Sequence, residues 1–153
     1  MATCKPMSTP MATNEKLQQL NDSEKVDVSL FRSLVGSLIY LTYTRPDIAF
    51  AISVVSRYMN DPRKNHFAAA KRILRYLQET RKLGVLYGKE NDCNLVGYVD
   101  SDWAGSIDDR KSTTGYIFCR GKSPISWCSR KQRTVALSST EAEYSTITEA
   151  ACE

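Results

Sequence analysis

The sequence predicts an α+β chain, with a helical region over 29–82 followed by a three-stranded antiparallel meander and one helix over 83–153. Three observations carry this prediction. Apolar residues recur at helical spacing between Leu30 and Leu77. Beyond Gly84 the helical period gives way to short β-rich runs parted by turn residues. Near the end, Ser138 and Glu141 have the spacing of a capping box, which opens a last helix.

Residues 1–28 are polar, contain Pro6 and Pro10, and show no period, so they read as an extended, largely disordered lead-in. From Ser29, the expected N-cap, the residues Leu30, Phe31, Leu34, Val35, Leu38 and Ile39 make one apolar face. The next helix begins at Thr44-Arg45-Pro46-Asp47, because proline suits a first turn. Ile48, Ile52, Val55 and Met59 form its stripe, and Asn60-Asp61-Pro62 ends it. A third helix sets Phe67, Ala70, Leu74 and Leu77 on one side, and Lys71, Arg72 and Arg75 largely on the other. Strands follow at Leu95–Asp100, Thr114–Cys119 and Ile125–Cys128, with a weaker candidate at Val85–Tyr87. Arg120-Gly121-Lys122 is the turn between the last two.

The chain of 153 residues, 42% of them hydrophobic, has a globular composition. Its net charge of +4, from 21 Lys and Arg against 17 Asp and Glu, is too mild to indicate a nucleic-acid partner by itself. The placement is more telling, since seven basic residues and no acidic one lie between Arg110 and Thr140. Five cysteines without CxxC spacing, and a lone histidine at His66, argue against a disulfide scaffold or a zinc site. No disulfide partner is expected, and the thiols read as reduced in an intracellular setting, cytoplasm or nucleus. No secretory core is visible in the first twenty residues, and the apolar stretch Ser33–Thr44 is too short to span a bilayer, so no membrane is expected.

Asp100 and Asp102 close the first strand. They read either as Asx turn chemistry or as a carboxylate held rigidly at a sheet edge. Glu141 and Glu143 stand in the first turn of the last helix, where acids also favour the dipole. Glu141 has the capping box to explain it and Glu143 does not. Arg110, Lys111, Arg130, Lys131 and Arg133, interleaved with Tyr116, Phe118 and Trp127, could line a phosphate-tracking surface or form a solvated sheet face. His66 reads as a polar helix-start residue. Tyr98-Val-Asp-Ser superficially resembles a polymerase YxDD box but lacks the second adjacent aspartate.

Taken together, YVDSDWAGSIDDRKSTTGYIFCRGKSPISWCSRKQRTVALSSTEAEY closely resembles the RNase H segment of copia-type retrotransposon Pol polyproteins. Upstream, CKPMSTPM, LVGSLIYLTYTRPDIAFAISVVSRYM and HFAAAKRILRYL resemble the region joining reverse transcriptase to RNase H in the same family. The resemblance implies a helical connection region followed by an RNase H-like domain that cleaves the RNA strand of an RNA–DNA hybrid. Two Mg2+ ions, held by carboxylates, do the chemistry in that family. It implies Asp100 as the first ligand and Glu143 as the second, while Asp102 matches a frequent family position that is not a ligand. The family's two further acids, both downstream of this helix, do not occur in the sequence. The expectation is thus a truncated RNase H-like domain with a vestigial metal site, no active catalytic residue and no bound cofactor. Its first strand would be an exposed edge, and RNA–DNA hybrid would be the residual partner.

Arg72-Ile73-Leu74-Arg75 also matches the RxLR string of secreted oomycete effectors. That resemblance implies an alternative: secretion into a host cell and binding of a host protein. The string here falls inside an amphipathic helix, where Leu74 packs and the arginines are solvated.

Overall fold

The computed structural model describes residues 4–13, 15–20, 22–88 and 94–153. They fall into two compact units, Met1–Gly84 and Val85–Glu153. The first holds helices α1 (Val28–Leu41), α2 (Ala49–Ser56) and α3 (Lys64–Glu79). The second holds strands β1 (Leu95–Ser101), β2 (Thr113–Arg120) and β3 (Ser123–Lys131), then helix α4 (Ser139–Ala151). The α+β class and the order of elements follow the sequence prediction.

Helix α1 is capped by Asp27 and not by Ser29, because the Asp27 carboxylate accepts from the Leu30 amide at 2.6 Å. A carboxylate there satisfies an orphan N–H and also meets the positive end of the helix dipole. Phe31, Val35 and Leu38 are buried, whereas Leu30 and Ile39, a residue to either side of the stripe, stay 54% and 38% exposed. Pro46 opens a 3-10 turn, Pro46–Ile48, and α2 follows it. Ala51, Ile52, Val54 and Val55 are all buried, so α2 is apolar nearly all round and sits in the middle of its unit. In α3 the buried stripe is His66, Ala69, Ala70, Ile73 and Tyr76, with Phe67, Leu74 and Leu77 partly buried along its flank.

His66 is at the helix start as expected, yet it is fully buried. Its ring stacks on Tyr58, with centroids 4.0 Å apart and planes 11° from parallel. Nδ1 accepts the Arg63 amide at 3.0 Å, and Nε2 lies 2.9 Å from the Gln18 carbonyl. An amide can only donate and a carbonyl can only accept, so the neutral ring protonated at Nε2 satisfies both.

The lead-in is extended and largely exposed, yet some of its described residues are tied to the helices. Leu17 is buried in the core and Met11 packs against it. Tyr58 Oη donates to the Leu17 carbonyl at 2.8 Å, the Val26 amide to Pro62 O at 3.1 Å, and the Lys64 amide to Glu24 O at 2.9 Å. Sequence periodicity could not reveal these ties. They come from backbone groups pairing with a helical surface that forms elsewhere in the chain.

In the second unit the strands run antiparallel in the order β1-β2-β3. Thr114 pairs with Ser101 and Gly115 with Asp100, and on the other side Tyr116 pairs with Cys128. Gly121 takes φ of +59° in the β2–β3 turn, a conformation that costs glycine nothing. Val85–Tyr87 does not form a strand; its tie to the sheet is the Leu86 carbonyl accepting from Ser123 Oγ at 3.0 Å. β1 lies at the sheet edge, and its residues from Leu95 to Asp100 are exposed. Helix α4 packs on β1 and β2. Its cap is the predicted one, with Ser138 Oγ accepting the Glu141 amide at 3.1 Å. The Glu141 carboxylate reaches back to the Leu137 amide at 2.7 Å, one residue before the N-cap. The interior of this unit is strongly polar. Among its described residues the buried apolar ones are Tyr116, Ala136, Ala142 and Ala150, beside buried Ser112, Thr113, Thr114, Gln132 and Thr146.

Candidate functional site: a pair of unclaimed carboxylates

Asp100 is the penultimate residue of β1 and is exposed; Glu143 is on α4 and half-buried. What joins their surroundings is Gln132, just beyond β3 and only 3% exposed. Its Nε2 lies 2.9 Å from Ala142 O, 3.2 Å from Thr114 Oγ1, 3.3 Å from Thr146 Oγ1 and 3.4 Å from Ser101 Oγ. Ala142 precedes Glu143 and Ser101 follows Asp100. One buried amide thus ties together the chain positions next to both acids. The backbone N–H of Gln132 donates to Ser112 O at 2.8 Å. A single glutamine after a basic strand carries no sequence signal of this role.

The other described acids of this unit are all engaged. Asp102 accepts the Thr113 amide through its side chain, and its own amide donates to Thr113 O at 3.3 Å. Its partner lies eleven residues away, so Asp102 closes the β1–β2 loop and does not make the local Asx turn that the sequence suggested. Gly105 is required beside it, because a Cβ there would collide with the Asp102 carboxylate. Asp109 pairs with Lys131 at 2.7 Å and Glu149 with Arg130 at 3.1 Å. Glu141 caps α4, Glu153 is an electrostatic neighbour of the Tyr116 hydroxyl, and Asp108 also has a partner. Among the described residues, Asp100 and Glu143 are the acids of this unit whose side chains have no neighbour of any of these kinds.

Burial by itself would push the Asp109 carboxyl up, but hydrogen bonds from Lys131, Ser106 and the Lys111 amide outweigh it and hold it at about 2. Burial, then the neighbouring Glu153, raises the Tyr116 hydroxyl well above its usual value. The β1–β2 loop is tight, with Ala104 and Arg110 at φ of +51° and +56°. Trp103 Nε1 donates to Ala136 O at 3.2 Å, fastening this loop to the segment that leads into α4.

The five predicted basic residues do not share one face. Arg130 and Lys131 are consecutive on β3, so the pleat sends them to opposite sides. Arg130 meets Glu149 of α4, while Lys131 meets Asp109 of the β1–β2 loop. Both are largely neutralised. Arg110 and Arg133 are exposed and Lys111 half-buried. Arg133 lines an open cleft of about 340 Å³ between the end of β3 and α4, together with Tyr144, Ser145 and Glu149. Neither Asp100 nor Glu143 lines that cleft, so the free acids and not the cavity mark the site.

In the first unit, Arg72 donates to Thr9 O at 3.3 Å and to Thr9 Oγ1 at 2.8 Å, and Arg75 donates to Lys5 O at 2.6 Å. Ile73 is 1% exposed and Leu74 packs on the core. The RxLR residues therefore hold the lead-in against α3. Sequence reasoning also missed a network around Arg45, which donates to both Asp47 carboxylate oxygens at 2.9 and 2.7 Å and to Thr80 O and Oγ1 at 3.1 and 2.7 Å. Tyr76 Oη completes it by donating to Asp47 at 2.7 Å. The Arg45 hydrogen bond holds the Asp47 carboxyl below its ordinary value.

Could the two free acids hold a metal? Carboxylate oxygens suit a hard divalent cation, and magnesium sites often use only one or two of them with water and substrate phosphate. The donor chemistry fits. The set is sparse, though: among the described residues no group of three or more His, Cys, Asp or Glu could hold a metal ion.

No family model matches the chain, and no solved structure matches it. Curated relatives do. The chain is 46% identical over 153 residues to the retrovirus-related Pol polyprotein from transposon RE2 of Arabidopsis thaliana, covering all of this chain and 10% of that protein. It is 47% identical over 156 residues to the Pol polyprotein from transposon TNT 1-94 of Nicotiana tabacum, covering 97% of this chain and 12% of that one. It is also 48% identical over 124 residues to secreted RxLR effector protein 161 of Plasmopara viticola, covering 80% of this chain and 87% of that protein. The chain spans about a tenth of the length of the Pol polyproteins it matches. With the resemblance running the full length of the sequence, the chain belongs to the copia-type retrotransposon Pol family.

Proposed function

We propose that the chain is the connection-to-RNase-H stretch of a copia-type Pol protein. In this reading Asp100 and Glu143 descend from metal ligands, in a site too sparse to cleave RNA by itself. One observation carries it: among the described acids of the second unit, these two are the ones whose side chains are left unclaimed, and they are the two that match the family's ligand positions. Helix α4 and β1 present them from packed elements, which keeps their backbones fixed. When bound, a magnesium-class ion would supply water activation and charge neutralisation at the scissile phosphate. Two carboxylates retain such an ion weakly without further ligands, because magnesium gives up its water reluctantly.

A labelled RNA–DNA hybrid incubated with the purified chain and magnesium tests this. No cleavage is expected. Cleavage that disappears in Asp100→Asn would overturn the non-catalytic reading and restore a working nuclease. A residual hybrid-binding role is a lesser reading, resting on exposed Arg110 and Arg133. Binding that does not strengthen as salt is lowered counts against it.

A second function class has the Plasmopara viticola relative behind it, a secreted effector by name. It is the weaker reading here, since Arg72 and Arg75 are already committed to the lead-in backbone and Ile73 to the core. Expression in plant tissue separates the two. Altered cell death that the double variant Arg72→Ala, Arg75→Ala abolishes would favour the effector.

A further inference from the structure

We propose that Gln132 is a positioning residue for the Asp100–Glu143 pair; this rests on the metal reading above. A carboxylate pair drawn from a strand and a helix acts as one site only if the two backbones hold a fixed offset. Gln132 is placed to fix it. An amide nitrogen has two hydrogens, and the shortest of its four contacts are to Ala142 O, at 2.9 Å, and Thr114 Oγ1, at 3.2 Å. The first grips α4 one residue before Glu143. The second grips the partner of Ser101 in the β1–β2 ladder, next to Gly115, the partner of Asp100. Thr146 closes the ring, 3.1 Å from Thr114 Oγ1 and donating to Ala142 O at 3.1 Å.

Two further facts favour positioning over simple packing. The buried apolar set among the described residues of this unit is small, so the register of α4 on the sheet depends heavily on directional bonds. Moreover, the Gln132 Oε1 atom is buried without a hydrogen-bond partner. An apolar side chain of the same length would fill the space without that penalty, so the amide's contribution here is geometric.

Manganese is the probe, followed by paramagnetic broadening of backbone amides in the labelled full chain, with thermal unfolding measured alongside. Wild type is expected to lose the Asp100 and Glu143 amide signals at one shared manganese midpoint. In Gln132→Met the midpoint should rise about tenfold or more, the usual effect of removing a residue that orients ligands, and the two signals should no longer share it. A Gln132→Met chain with lowered thermal stability but a wild-type midpoint overturns the proposal, because that is what a purely structural residue does. If Gln132→Met fails to fold, Thr146→Val decides: it removes one hydroxyl of the ring at nearly constant volume, and an unchanged midpoint overturns the proposal. Wild-type broadening that survives both Asp100→Asn and Glu143→Gln, or no broadening at all, overturns the metal reading and this proposal with it. Broadening abolished by either acid variant but untouched by Gln132→Met overturns the role of Gln132 alone.

Discussion

Replacing Lys131 with methionine separates the structural role of this residue from the nucleic-acid role its sequence suggests. The ammonium of Lys131 pairs with Asp109 at 2.7 Å, with the two side chains 31% and 33% exposed. Asp109 is held at about 2, against an ordinary 3.8. At 1.36 kcal/mol per pH unit that depression corresponds to about 2.4 kcal/mol. Both partners are about a third exposed, so screening reduces the effect to about 1–1.5 kcal/mol. A carboxyl depressed in the folded state stabilises fully above its unfolded value and loses that contribution as pH falls through its folded value. The contribution of this pair is therefore complete above about pH 4 and fades towards about pH 2. Trp103 and Trp127, the two tryptophans of the chain, both lie in the second unit, so their fluorescence follows that unit alone during urea unfolding. Lys131→Met should lower its stability by about 1 kcal/mol at pH 7, with the gap to wild type closing near pH 2. Equal stability at pH 7, or a gap that persists undiminished at pH 2, would refute the pairing argument.

Two further outcomes concern the first unit. Asp27→Ala should cost about 1 kcal/mol in thermal unfolding, the usual value of an N-cap, while Ser29→Ala should cost little. Ile73→Ala should destabilise the unit by about 2–4 kcal/mol through a cavity in its core, whereas Arg75→Ala should leave global stability nearly unchanged and speed amide exchange in the lead-in that it holds. Similar losses for Ile73→Ala and Arg75→Ala would contradict the assignment of core and strap.

The helices were legible in the sequence because their apolar residues repeat with the period of the structure they form, and a stripe such as Phe31, Val35 and Leu38 has one way to be buried. The strands and the Gly121 turn were legible for the same local reasons, as was the Ser138–Glu141 cap. Asp100 and Glu143 stood out through resemblance, and the structure added why they differ from their neighbours: Asp102, Asp109, Glu141 and Glu149 each have a partner. The sequence could not reveal that partnering, since Asp109 and Lys131, or Arg72 and Thr9, are far apart along the chain and meet only once the elements pack. The contacts of the lead-in with the helices, the burial of His66, and the amide of Gln132 spanning β2 and α4 share that origin. Composition, period and capping thus determined which elements form, through interactions between residues a few positions apart. Tertiary structure alone decided which polar groups are spoken for, because a buried polar group must find its partner wherever in the chain that partner happens to be.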